Sequence, residues 1–88
     1  METISIRKKI GARDVLLAEG ELQEQTFREF LDLYRQSMAD DTFLVFSKDR
    51  HLFVITKPEA KRMLQLSNKV RWKHFKERFD ATEPPVAA

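Results

Sequence analysis

Period-two alternation is the first readable pattern in the chain. Ile4 and Ile6 alternate with Thr3 and Ser5, which puts the isoleucines on one face of a half-buried strand. "KKIGARD" breaks the run with Gly11 and Asp14, and "VLLAE" after it reads as a second short strand. Residues 3–19 therefore predict a β-hairpin. A helical period follows: Phe27, Phe30, Leu31, Tyr34 and Met38 fall at i, i+3, i+4, i+7 and i+11 and mark one apolar stripe. Thr26 and Glu29 have the T-x-x-E spacing of a capping box and set the expected start of this helix.

"TFLVFS" and "HLFVIT" are β-branched and aromatic runs joined by a polar turn at Lys48, Asp49 and Arg50, a hairpin signal. Both runs are apolar on two faces: Phe43, Val45, Leu52 and Val54 on one, Leu44, Phe46, Phe53 and Ile55 on the other. Such strands are expected in the middle of a sheet with both sides covered, one of them by a helix and the other by a second subunit where helices do not reach. Thr56 and Glu59 repeat the capping-box spacing, and Pro58 occupies the first turn, where its missing N–H costs nothing. The helix that begins there carries two stripes, Ala60, Leu64, Trp72, Phe75 and Phe79 against Met63, Leu66 and Val70. A kink near Ser67 and Asn68, whose side chains compete for backbone bonds, reconciles them. "DATEPPVAA", residues 80–88, predicts a disordered tail with its paired prolines and small residues.

The order ββαββα implies an α+β domain over residues 1–79, a four-stranded antiparallel sheet carrying two helices. The whole chain of 88 residues supports one such domain with a modest core. Both halves share a ββα order, but their side chains do not match as repeats would.

Charge changes the picture. Residues 57–79 hold eight basic residues against two acidic ones, a local charge of +6, while residues 21–41 hold six acidic against two basic, −4; the net of +2 conceals this dipole. The basic segment is the footprint expected of a surface that meets an acidic protein or a nucleic acid, since lysine and arginine gain affinity by displacing counterions from phosphates. Trp72, Phe75 and Phe79 have core spacing, so the candidate contact set is Lys69, Arg71, Lys73, Lys76 and Arg78, joined by Lys61 and Arg62. The opposing reading is an ordinary solvated face, neutralised in part by the acidic helix beside it. Arg7, Lys8, Lys9 and Arg13 extend the patch only where the fold brings the first hairpin beside the last helix.

Chemistry beyond binding has little to rest on. The chain contains no cysteine, so it lacks thiol nucleophiles, disulfides and thiolate metal ligands, which fits a reducing, cytoplasmic setting. Asp49, Arg50 and His51 place an acid, a base and an imidazole in one turn, but turns favour such residues for conformational reasons. His51 and His74 are far apart with no carboxylate at ligand spacing, and two glycines in all exclude a glycine-rich phosphate loop. No catalytic residue, metal or cofactor is expected, and no apolar run approaches membrane-spanning length. Two functions remain from these observations: a small interaction module that docks on an acidic surface, as an adaptor, regulator or inhibitor, and a nucleic-acid-binding regulator that uses the same basic helix. A homodimer through the central hairpin is compatible with either.

Overall fold

The N-terminal alternation extends further than four residues. In the computed structural model, which describes residues 2–36 and 41–83, β1 (Thr3–Ile10) pairs antiparallel with β2 (Arg13–Glu21) across a two-residue turn. Gly11 supplies the positive φ of 62° at the first turn position, the position at which a II′ turn calls for glycine. A bulge between Ile6 and Arg7 shifts the register by one, so that Arg7 faces Leu16. β3 (Thr42–Lys48) and β4 (His51–Ile55) form the second hairpin, and the sheet runs β2-β1-β3-β4, antiparallel throughout. The expectation that this hairpin lies in the middle of the sheet is half corrected. β3 is central because it pairs with both β1 and β4, but β4 is an edge.

Helix α1 (Glu24–Gln36) carries Phe27, Phe30, Leu31 and Tyr34 into the core as their spacing predicts; Met38 lies outside the described residues. The predicted capping box at Thr26 does not form. The helix starts earlier, with the Phe27 amide bonded to the Gln23 carbonyl at 2.9 Å, and Glu29 takes a bond from the Gln25 amide instead. Thr26 packs where α1 crosses β2, so closely that a Cβ on Gly20 would meet its methyl at 2.9 Å.

Two helices, not one, follow the second hairpin, and the order is ββαββαα. α2 (Lys57–Gln65) begins with the full capping box at Thr56 and Glu59. Leu66 and Ser67 then adopt extended backbone, ψ 156° and 155°, and α3 (Asn68–Ala81) starts anew. The kink expected near Ser67 is thus a complete break, which frees each helix to turn its own apolar stripe inward. α3 runs through Ala81, two residues beyond the expected domain boundary, with Thr82 buried as its C-cap; residues 84–88 of the expected tail lie outside the described residues.

One hydrophobic cluster joins Ile4, Ile6, Leu44, Phe46 and Ile55 of the sheet to Phe27, Leu31, Ala60, Met63 and Phe75 of the three helices. The three helices therefore share one face of the sheet. The other face keeps Leu16, Leu52 and Val54 exposed at 49%, 60% and 51%.

The β3–β4 turn carries a cost that one substitution relieves. Asp49 and Arg50 both hold positive φ, 51° and 68°, the geometry of a type I′ turn, for which Asn-Gly is the preferred pair. A non-glycine residue in this region is strained by about 1 kcal/mol or more. Arg50→Gly is expected to raise stability by up to about 1 kcal/mol, part of the relief being offset by the entropy of glycine in the unfolded chain. Urea unfolding measures it, and a destabilised variant would show that Arg50 makes a compensating interaction.

Candidate functional site

The basic residues of α2 and α3 do not all serve the surface. Lys69, Lys73 and Lys76, at i, i+4 and i+7, share the outward face of α3 and are exposed, as are Lys61 and Arg62 on α2. Arg71 and Arg78 turn back into the molecule.

Arg71 closes the break between the helices. Its Nε donates to the carbonyls of Met63 at 3.1 Å and Leu66 at 2.9 Å, Nη2 to that of Leu64 at 2.9 Å, and Nη1 to the Asn68 side-chain oxygen at 2.7 Å. The last carbonyls of a helix lack intrahelical donors and carry its negative end, so one fork of charged N–H groups satisfies several at once. Arg78 donates through Nε to Glu59 Oε2 at 2.7 Å and through Nη1 to the Thr82 hydroxyl, with its guanidinium 5.5 Å from the Phe46 ring centre. This ties the start of α2 to the end of α3. Glu59 is partly desolvated, which pushes its carboxyl up; the bonds from Arg78 and Thr56 outweigh that and hold it below the usual glutamate range.

Lys48 was not singled out by the sequence pattern, yet it performs for α3 what Arg71 does for α2. Its ammonium donates to the carbonyls of Phe79 and Thr82, both at 2.7 Å, and lies 4.8 Å from the Phe79 ring centre. Nothing local to Lys48 announces this, because its acceptors stand 31 and 34 residues away.

The aromatic residues of α3 complete the core. Phe75 is fully buried and stacks on Phe27 at 4.6 Å, meets Phe46 edge-on at 5.4 Å, and adjoins Trp72 and Phe79. Trp72 and Phe79 are half-buried against the same cluster, and the ammonium of Lys76 lies 5.8 and 5.1 Å from their ring centres. Beside the lysine row, Leu66, Val70, Lys73, His74 and Glu77 line a shallow depression in which Val70 is 42% exposed. The surface is thus basic along one ridge, with two apolar side chains, Leu66 and Val70, set among polar ones next to it.

The remaining candidates lie elsewhere. Arg7 donates to the Ser5 hydroxyl at 3.0 Å, and Lys8 pairs with Asp41 at 3.8 Å, on the β1 side of the sheet. Asp49, Arg50 and His51 are exposed in and beside the type I′ turn. Among the described residues no three histidine or carboxylate groups are grouped to hold a metal ion, and no helix is long and apolar enough to cross a membrane. Comparison of the chain with protein-family models, with curated proteins and with solved structures finds no match.

Proposed function

We propose that this protein is a small non-enzymatic interaction module of the cytoplasm, an adaptor, regulator or inhibitor, that docks on an acidic protein surface through the outward face of α2 and α3. The observation that carries the reading is the division of labour among the cations. Arg71 and Arg78 are engaged internally, whereas Lys61, Arg62, Lys69, Lys73 and Lys76 are exposed. Exposed lysines at one helical face raise the encounter rate with an acidic surface. The depression beside the ridge presents Leu66 and Val70 among Lys73, His74 and Glu77, and these two side chains offer a partner an apolar contact that a phosphate backbone would not use. The inward turn of Phe75, and the packing of Trp72 and Phe79 against the core, leave no free aromatic platform on α3 for unpaired bases.

The test uses fluorescence anisotropy with three labelled probes: an Asp/Glu-rich peptide containing leucines, a DNA duplex and a single-stranded RNA. Each is titrated at low and at physiological salt. The peptide is expected to bind in a salt-sensitive manner, and Lys69→Glu, Lys73→Glu, Lys76→Glu together should weaken it by at least about tenfold, or about 1.4 kcal/mol. Arg71 is left intact because its loss would disturb the fold. Preference for duplex or RNA, with a salt slope that falls by roughly 3 in the triple variant, would replace the acidic protein by a nucleic acid as ligand. No binding of any probe at low salt would sink the basic face as a docking surface.

A further inference from the structure

His74 stands between two hollows of the α2–α3 surface and lines both. The first lies between the helices. Glu59, Arg62 and Met63 of α2, at i, i+3 and i+4, face His74, Glu77 and Arg78 of α3 at the same spacing. The second is the shallow depression beside the lysine ridge, lined by Leu66, Val70, Lys73, His74 and Glu77. Val70, His74 and Glu77 fall at i, i+4 and i+7, so one row of α3 joins the two hollows. Glu77, like His74, lines both, and both side chains belong to exposed residues.

With His74 neutral, each hollow is balanced in charge. In the first, Glu59 and Glu77 offset Arg62 and Arg78, and Glu59 is already bonded to Arg78 at 2.7 Å. In the second, Glu77 offsets Lys73. A proton on His74 therefore leaves both hollows with one positive charge in excess. Histidine is the side-chain type whose charge ordinarily changes between pH 5 and 8, whereas lysine and arginine ordinarily keep theirs across that range. The ridge supplies a constant attraction, and the histidine a variable one.

We infer that docking on an acidic partner is proton-dependent, with His74 as the contact that a falling pH turns into a cation. The inference rests on the acidic-protein reading of this surface and adds to it a residue and a condition. A neutral imidazole has one N–H to donate, and the protonated ring has two and a charge. A partner carboxylate entering either hollow then gains a charge-assisted hydrogen bond, with Leu66 and Val70 beside it to meet an apolar neighbour. Because His74 is exposed, the gain is that of a solvated ion pair, about two- to fivefold in affinity.

Fluorescence anisotropy with the leucine-containing Asp/Glu-rich peptide tests this at about pH 6 and about pH 8, at one ionic strength. Both values lie above the ordinary range of aspartate and glutamate, so the peptide stays charged. Binding is expected to be about two- to fivefold tighter at the lower pH. His74→Gln should bind equally at both. Glu77→Gln removes the offsetting acid from both hollows without a proton, and should tighten binding at about pH 8 by a similar factor. His51→Gln, in the β4 strand beside the type I′ turn, should keep the full pH response. Equal wild-type binding at the two pH values, abolished by Lys69→Glu with Lys73→Glu and Lys76→Glu, overturns the inference and leaves the docking surface standing. So does a pH response that survives His74→Gln or vanishes in His51→Gln, or a Glu77→Gln affinity no tighter than wild type. Absence of peptide binding at both pH values removes the docking surface and the inference together.

Discussion

Phe75→Ala is expected to cost about 3–5 kcal/mol and to leave the domain at the edge of unfolding at room temperature. A buried phenylalanine cut to alanine loses its transfer free energy and leaves a cavity, together in that range. Here the ring is fully buried and is the hub of an aromatic chain, stacked on Phe27 at 4.6 Å and edge-on to Phe46 at 5.4 Å. It links α1, the sheet and α3 at once, so the surroundings cannot close over the gap without moving all three. Aromatic pairs of this geometry add about 0.5–1.5 kcal/mol beyond the area they bury. A domain of 88 residues has only about 4–13 kcal/mol in total, at about 0.05–0.15 kcal/mol per residue. Urea denaturation followed by tryptophan fluorescence measures the loss through Trp72, which adjoins the same ring. Phe75→Leu keeps most of the volume and should cost much less. A Phe75→Ala loss under about 1 kcal/mol would show that the three layers are held together elsewhere.

The features legible in the sequence are those set by neighbouring residues. The alternation of Ile4 and Ile6, the helical stripe from Phe27 to Tyr34 and the capping box at Thr56 each need a window of only a few residues, and each forms. The same T-x-x-E spacing at Thr26 fails because tertiary packing wins. β2 ends at Glu21 and the chain enters α1 with Gln23 bonded to Phe27, which carries Thr26 past the cap and against Gly20. Strand order was hidden for a related reason. A ββαββ string does not say which strands of its two hairpins adjoin, and the pairing of β1 with β3 leaves β4 at the edge. The candidate contact set was legible as to helix and illegible as to direction. Lys69, Lys73 and Lys76 and their outward face follow from helical periodicity. Counting charge treats Arg71 and Arg78 alike with them, although the carbonyls that claim Arg71 exist only because α2 stops at Gln65. The break at Leu66 and Ser67 and the inward turn of Arg71 are therefore one event, and neither residue run encodes it alone.

That coupling makes Arg71 the cation whose loss should matter most. Arg71→Met keeps the aliphatic stem but removes the donors that serve Met63, Leu64 and Leu66. A hydrogen bond from a charged group contributes about 1.5–3 kcal/mol where water is excluded. At this half-buried position water can replace part of the set, so the expected loss is about 2 kcal/mol in all. Lysine should recover only a fraction, because the carbonyls of Met63, Leu64 and Leu66 are placed for two separate nitrogens of a planar fork, Nε and Nη2, and an ammonium is a single compact donor. The loss should be local in origin: amide exchange is expected to quicken at α2 and at the first turn of α3 while the sheet stays protected until global unfolding. Lys69→Ala, two residues away and outward, should stay within about 0.5 kcal/mol of wild type. Chemical denaturation of the three variants, with hydrogen exchange on Arg71→Met, checks the ranking. Equal stability of Arg71→Met and Lys69→Ala would mean that the α2–α3 corner holds without its guanidinium. Arg71 would then be free to join the lysines as a contact residue, and the docking surface would have to be redrawn around it.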